Sequence, residues 1–141
     1  MRKNLATVLG VVALGSLLLV SCGGAREYVV VGTERAPDAD ANIKIESQEG
    51  GNFLVTVGVE FLLPPSRLDP GNTTYTVWFQ APGGVPQRMG NLTYDEDART
   101  GEMVATTTFP KFDIIISGEA GETATAPSDF LVFRTTVEAP Q

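Results

Sequence analysis

The sequence predicts an all-β protein, an antiparallel β-sandwich of about seven or eight strands that follows an apolar N-terminal segment. Two observations lead to this prediction. After Cys22 the apolar residues recur with a period of two, as in half-buried strands, and no segment sustains the period of a helix. Short apolar runs also alternate with turns rich in proline, glycine, asparagine and aspartate, at the spacing typical of sandwiches. A small closed barrel is the alternative that this pattern leaves open.

The N-terminal segment has the three-part layout of an export signal. Two basic residues precede an apolar run from Leu5 to Val20, which is shorter than the ~20 residues of a membrane-spanning helix. The run ends in Leu19-Val20-Ser21-Cys22, which resembles the lipobox of bacterial lipoproteins. The resemblance implies a cleaved signal peptide of residues 1–21 and a lipidated Cys22, with two or three acyl chains for stable membrane attachment. An ordinary signal peptide with a cysteine near its cleavage site is the alternative.

The residues around the cleavage site also bear on location. Cys22 is the only cysteine, so no internal disulfide can form, and acylation would remove an otherwise reactive thiol. Gly23 follows it. In enterobacterial lipoproteins an aspartate at that position favours retention in the inner membrane. The resemblance therefore implies a protein of the bacterial cell envelope, anchored through lipid in the outer membrane.

Composition excludes several classes of function. Removal of residues 1–21 leaves 120 of the 141 residues, which suits one domain. The signal contributes two of the 10 basic residues and none of the 17 acidic ones, so the mature charge is −9. Such a charge argues against binding nucleic acid or docking electrostatically on anionic lipid. Histidine is absent and the lone cysteine would be acylated, which excludes serine–histidine and cysteine–histidine catalysis and thiolate metal sites. We expect neither an enzyme nor a cofactor.

Residues 22–40 are predicted to be a lipidated tether and residues 41–141 the β-sandwich domain. Glu27–Val31 is a candidate strand within the tether. Inside the domain, the clearest alternation comes before Pro64-Pro65, because proline cannot donate to a β-ladder. The predicted inward residues of this strand are Phe53, Val55, Val57, Val59, Phe61 and Leu63.

Five further strand segments follow. In the first, Thr73–Gln80, alternation directs Tyr75, Val77 and Phe79 towards the core and Trp78 away from it. The next two form a hairpin around an acidic turn at residues 95–101. The fourth is nearly all apolar, as in a central strand buried on both faces, and the last directs Leu131, Phe133 and Val137 inward. These four segments are Gln87–Tyr94, Glu102–Phe109, Phe112–Ser117 and Phe130–Val137.

The region from Thr73 to about Pro127 resembles the extracytoplasmic C-terminal domain of anti-sigma-K-type regulators. Its matching features are a tyrosine–tryptophan strand, a glycine-led strand, an acidic hairpin and an apolar strand that ends in glutamate before a proline. In this sequence they are Tyr75–Trp78, Met89–Leu92, Tyr94–Asp97 and Phe112–Glu119. The resemblance implies an immunoglobulin-like sandwich, and no segment matches the helical sigma-binding part of those regulators. The whole chain is also similar to uncharacterised bacterial envelope lipoproteins.

Two acidic groups are candidate calcium sites. Asp38, Asp40, Asn42 and Glu49 are spaced like ligands of an EF-hand loop, but the glycine that such a loop requires is replaced by Ile43. This interpretation is therefore disfavoured, and no metal is expected.

The second group is the acidic cluster of Asp95, Glu96, Asp97 and Glu102. A solvated hairpin tip, with Arg99 partly offsetting the charge, explains it more simply than a weak calcium site.

Trp78 is the candidate ligand surface. On the outer face of a sheet its ring could stack on a sugar or a partner protein, whereas packing under a loop or over a sheet edge is the alternative. The expected function is that of a lipid-anchored, non-catalytic module of the envelope that binds a protein or a glycan, or has a structural role. A sensory domain that relays an envelope signal is the alternative that the anti-sigma resemblance suggests.

Overall fold

The computed structural model describes residues 24–141, so the predicted signal peptide and the predicted lipidation site at Cys22 lie outside the described residues. In this part of the chain, nine strands form two antiparallel sheets. The strands are β1 (Arg26–Val31), β2 (Asp40–Ser47), β3 (Phe53–Glu60), β4 (Thr74–Gln80), β5 (Gln87–Asn91), β6 (Thr93–Asp95), β7 (Thr100–Thr107), β8 (Lys111–Glu119) and β9 (Leu131–Glu138). A 3-10 turn at Glu49–Gly51 and a single helical turn, α1 (Pro65–Leu68), complete the elements.

The two sheets pack face to face around one core. The larger sheet has the strand order β1-β2-β3-β7-β6, and the smaller has the order β5-β4-β8-β9. Alternate residues of β2 and β3 join one buried cluster with alternate residues of β4 and β8 from the other sheet. The prediction of an all-β chain with antiparallel strands is confirmed.

Alternation predicts the inner faces of the central strands correctly. Val55, Val57 and Val59 are buried, as are Tyr75 and its alternate neighbours on β4. Val57 lies opposite Ile43 on β2 and Met103 on β7, which are also buried. The apolar segment in β8 is buried on both faces, as predicted, because the consecutive residues Ile114 and Ile115, which point to opposite faces, are both covered.

The predicted inward direction of Phe61 is wrong. β3 ends at Glu60, and Phe61 adopts a left-handed backbone conformation with φ 56°. This turn interrupts the alternation, so the Phe61 side chain is 64% exposed and Leu62 takes the buried position that follows. Leu63 is only half-buried. A two-residue period holds only while the backbone stays extended.

The predicted hairpin and the last strand also need correction. β6 and β7 do pair across the acidic turn, but β5 pairs with β4 in the other sheet. The chain changes sheet at Leu92, whose N–H donates to the carbonyl of Tyr75. In β9 a register shift opposite Ile116 and Ser117 leaves Leu131 half-buried and places Val132 in the core.

The candidate strand at Glu27–Val31 is present as β1. It pairs with β2 along its whole length, from Arg26 opposite Ile45 to Val31 opposite Asp40. It also contacts β9 of the smaller sheet, because the Tyr28 hydroxyl hydrogen-bonds both the N–H and the carbonyl of Glu138. The sheet therefore begins at Arg26, upstream of Ala41. None of the helices within residues 24–141 combines the length and the apolar character needed to cross a membrane.

Candidate functional site

Trp78 lies on the outer face of its sheet, as alternation predicts, but it is fully buried. Its ring therefore offers no surface on which a sugar or partner could stack. The indole Nε1 donates a hydrogen bond of 2.8 Å to Ser117 Oγ on the neighbouring strand. Of the two interpretations of this residue, the structure favours packing beneath a loop.

The loop that covers this face is the connection between β8 and β9, residues 120–128. Its Glu122 carbonyl accepts hydrogen bonds from Arg88 and Asn91 on β5, so the loop crosses β4 to reach the far edge of the sheet. At its other end, Ser128 donates to the carbonyl of Gly118. No strand of the described chain covers this face. We infer that the loop shields the outward residues of β4 and β8.

A buried carboxylate holds the end of this loop. Glu119 is 4% exposed, and its carboxylate oxygens accept the backbone N–H of Ser128 at 3.0 and 3.1 Å. The hydroxyl of Ser117 donates to the same carboxylate at 3.2 Å. A buried carboxylate is tolerated when its oxygens are hydrogen-bonded. Trp78, Ser117, Glu119 and Ser128 thus form one polar network under the loop.

The acidic residues do not converge as metal ligands. Within residues 24–141, no group of three or more acidic or other metal-ligating side chains could hold an ion. Asp40 and Asn42 lie on β2, and Glu49 lies beyond its far end. In the acidic turn, Asp95 Oδ1 accepts hydrogen bonds from the N–H groups of Asp97 and Ala98, which fixes the turn itself.

An open apolar cleft lies where the loops after β1, β3 and β6 meet. Its volume is 340 Å³, near the lower limit for ligand pockets in general. The exposed Phe61 forms one wall, and it is the only aromatic residue among the exposed large apolar side chains of residues 24–141. The cleft, here called the Phe61 cleft, is lined by Ala36, Pro37, Asp38, Ala39, Phe61, Leu63, Leu68 and Arg99.

Two strained residues meet at this cleft. Phe61 and Arg99 are the only non-glycine residues of the described chain with positive φ, and both have φ 56°. A hydrogen bond of 3.1 Å from the Leu62 N–H to the Arg99 carbonyl joins the two turns. A left-handed conformation costs a non-glycine residue about 1–2 kcal/mol. Residues held in such conformations often cluster at functional sites, which makes this cleft the candidate site.

Two tyrosines fix the chain immediately after Phe61. The Tyr94 hydroxyl donates to the Leu62 carbonyl, and the Tyr75 hydroxyl donates to the Leu63 carbonyl. Their rings pack edge to face with 5.5 Å between centroids. Burial raises the pKa of both phenols, and for Tyr94 the nearby Glu96 raises the pKa further. Both hydroxyls therefore stay protonated, and keep donating to these carbonyls, to a higher pH than an ordinary tyrosine would.

Acidic charge is concentrated at the end of the sandwich that contains the Phe61 cleft. This cleft end comprises the connections 31–40, 60–74, 95–100 and 119–131, with the strand residues that flank them. It carries three basic residues, Arg35, Arg67 and Arg99, against eleven acidic ones. The acidic residues are Glu34, Asp38, Asp40, Glu60, Asp69, Asp95, Glu96, Asp97, Glu119, Glu122 and Asp129.

The charged side chains of the opposite end, here called the N-terminal end, sum to zero. It comprises residues 24–26, the connections 47–53, 80–87 and 107–111, and residues 138–141. Arg26 and Lys111 there balance Glu49 and Glu138. Each ion pair in the described chain lies outside the cleft end: Arg26 and Lys111 both pair with Glu138, Lys44 with Glu46, and Arg134 with Asp113. The formal charge of −8 at the cleft end therefore has no local ion pair to neutralise it.

Comparison with known proteins returns no match to a family model, to a curated protein or to a solved structure. The alternation of the sequence does not reveal the Phe61 cleft, because it predicts that the Phe61 side chain points into the core. The one sequence signal that could have revealed the cleft is Pro64-Pro65. These prolines end the strand, and a change of backbone direction can precede them.

Proposed function

We propose that this protein is a lipid-anchored, non-catalytic binding module of the bacterial envelope, with an immunoglobulin-like sandwich as its folded domain. The observation on which the proposal depends is the Phe61 cleft, an apolar opening with an exposed aromatic wall and two strained residues. Isolated exposed apolar residues are common on protein surfaces, but a concave apolar group held by strain indicates a binding site.

The position of the cleft relative to the chain start supports this proposal. Arg26 follows Cys22 by four residues, a span of at most about 14 Å. β1 then runs from Arg26 at the N-terminal end to Val31 at the cleft end, about 17 Å away at ~3.4 Å per residue. An acyl anchor on Cys22 would thus hold the neutral end near the membrane and direct the cleft away from it.

The charge distribution fits the same orientation. Acidic residues near an anionic membrane surface would be repelled within a Debye length of about 8 Å at physiological salt. The side chains of the N-terminal end carry no net charge, whereas those of the cleft end carry −8. The anchored domain would therefore stand with its charged, cleft-bearing end in the aqueous compartment, where a binding module meets its partner.

Two experiments test the anchor and the binding site separately. For the anchor, Cys22→Ser should abolish incorporation of a fatty-acid probe and release the protein from the membrane fraction. Labelling of the variant at the wild-type level would exclude lipidation at Cys22. For the site, a photo-crosslinking phenylalanine analogue at position 61 should capture a partner in intact cells. The same analogue at Val85, which is 76% exposed at the N-terminal end, is the matched control. Equal capture at both positions would contradict a specific site at the cleft.

A further inference from the structure

We propose that the Phe61 cleft binds an extended segment of a partner protein in which an apolar side chain is flanked by lysine or arginine. This inference rests on the proposed binding function and names the chemistry of the partner. The cleft supplies the apolar contact through Phe61, Leu63 and Leu68. The surrounding carboxylates supply the charge that selects a cationic partner.

The size and shape of the cleft favour a single side chain on a segment rather than a broad folded surface. Its volume is 340 Å³, and it is open to solvent. The walls come from three separate connections, so a chain crossing the end of the sandwich can insert one apolar residue between them. Recognition of an extended segment commonly combines such an anchoring pocket with contacts to the residues on either side.

The flanking contacts at this end are electrostatic. Asp38 lines the cleft directly, and Glu96 and Asp97 lie in the turn that also carries Arg99. All three carboxylates are exposed, and none forms an ion pair within the described residues. Arg99 is the only cation in the lining, and the eleven acidic residues of this end outnumber its three basic ones. Cations are attracted to a surface of this kind and anions are repelled.

The same charges disfavour other occupants. A second copy of this chain would bring a −8 end against a −8 end, and like charges opposed across an interface are destabilising. Nucleic acid and anionic lipid are repelled for the same reason. A divalent cation alone lacks a converging set of ligands within residues 24–141. A basic protein segment matches both the apolar wall and the sign of the charge.

The test uses the full chain in detergent and four fluorescein-labelled nonapeptides, with detergent alone as the blank. Three peptides share a Leu-Phe-Leu centre and carry three lysines, three serines or three glutamates on each side. The fourth has lysine flanks and a serine centre. Fluorescence anisotropy measures Kd at 50 and 500 mM salt. The lysine-flanked apolar peptide should bind at least about tenfold more tightly than the serine-flanked one, a difference of about 1.4 kcal/mol. High salt should remove most of that difference.

Variants locate the binding on the protein. Phe61→Gly fits the left-handed backbone and removes the aromatic wall, so affinity should fall about thirtyfold, as for a central anchor residue. Leu68→Ser is a second variant with the same expected direction. Val85→Ser at the other end is the control and should leave Kd unchanged. Denaturation by urea confirms that each variant is folded before it is titrated.

Charge variants test the selectivity. Replacing Asp38, Glu96 and Asp97 by their amides should weaken binding of the lysine-flanked peptide about tenfold and leave binding of the serine-flanked peptide unchanged. The matched control is the triple amide variant of Glu27, Glu46 and Glu49, which lie away from the cleft. This control variant should not change the Kd of either peptide.

The outcomes separate this inference from the binding function itself. Equal affinity for lysine- and serine-flanked peptides, or failure of all four to bind at 1 mM, would refute the cationic partner. Capture of a partner by the crosslinker at position 61 would then still support a binding module of different specificity. Tight binding of the lysine-flanked peptide that survives Phe61→Gly would refute the cleft as its site.

Discussion

The buried carboxylate of Glu119 should decide whether the loop 120–128 stays on its sheet. In Glu119→Ala the Ser128 N–H and the Ser117 hydroxyl both lose their acceptor. A buried donor left without a partner costs about 1–3 kcal/mol. Removing a buried charge offsets part of this cost, because a carboxylate is expensive to desolvate. We expect a net loss of about 2 kcal/mol in the free energy of unfolding, or about 8 °C in Tm for a domain of this size.

Two companion variants define what is lost. Glu119→Gln retains one acceptor oxygen for the Ser128 N–H, so it should cost less than about 1 kcal/mol. Glu138→Ala removes a carboxylate that is 55% exposed and forms ion pairs only at the surface. Exposed pairs contribute about 0–1 kcal/mol, so this control should be nearly neutral.

The single tryptophan provides the assay. Trp78 is fully buried and belongs to the same hydrogen-bonded network as Glu119. In the wild type, acrylamide should quench its fluorescence weakly until global unfolding. In Glu119→Ala, release of the loop should make Trp78 quenchable at urea concentrations below the unfolding transition. Equal destabilisation by Ala and Gln, or an unchanged quenching curve in the Ala variant, would refute the role assigned to this carboxylate.

Three further outcomes are expected. Val57→Asp buries a charge between two apolar strands, which costs several kcal/mol of a typical free energy of unfolding of about 5–15 and should unfold the domain. The neighbouring Thr56→Asp is half-exposed and should leave the domain folded. Equal urea midpoints for the two variants would refute the assignment of Val57 to the buried face of β3. Arg99→Gly removes the strain of a left-handed arginine and should stabilise the domain by about 1 kcal/mol, while Arg99→Ala should not. The urea midpoints of the two variants test this difference. Calcium at 1 mM should not raise Tm, and a rise abolished by Asp95→Asn with Asp97→Asn would identify the acidic turn as a metal site.

Sequence pattern predicts the strands because the apolar period reflects local geometry. It fails where tertiary contacts decide the outcome. Trp78 lies on the outer face as predicted, yet that face is covered by a loop whose own sequence is polar and gives no apolar signal. The continuous apolar run at Phe112–Ser117 already implied a sheet covered on both sides. Trp78 pairs directly with Ile115 of that run, but the sequence cannot give the pairing, which depends on topology.

The cleft shows a second limit of the sequence pattern. A left-handed residue is rare outside glycine, so Phe61 at the end of a strict alternation is predicted to be buried. The two residues that follow it are held by groups distant in sequence, since Leu62 bonds the Arg99 carbonyl and the Tyr94 hydroxyl, and Leu63 bonds the Tyr75 hydroxyl. None of these partners can be assigned to Leu62 or Leu63 without knowing that the connections after β3 and β6 meet at one end. Charge, by contrast, is evident in composition, but its segregation to one end appears only after folding.

The decrease in the free energy of unfolding at high pH should depend on the tyrosines that fix the backbone beside the cleft. In the unfolded chain a tyrosine titrates near its ordinary value of 10.0, whereas burial raises the pKa of Tyr75 in the folded state. Below pH 10 the Tyr75 hydroxyl is protonated in both the folded and the unfolded state, so its full contribution to the free energy of unfolding is present. Above pH 10 the unfolded state loses protons that the folded state keeps, so stability falls as pH rises. The slope can reach about 1.4 kcal/mol per pH unit for one such group.

Tyr75→Phe separates this titration from the lost hydrogen bond. The variant leaves the Leu63 carbonyl without its donor, which should cost about 1–3 kcal/mol at pH 8. It should also show a shallower decline between pH 10 and 11 than the wild type, since the group that titrates is gone. Urea midpoints at pH 8, 10 and 11 measure both effects. Parallel declines in the variant and the wild type would show that Tyr75 ionisation is not the cause.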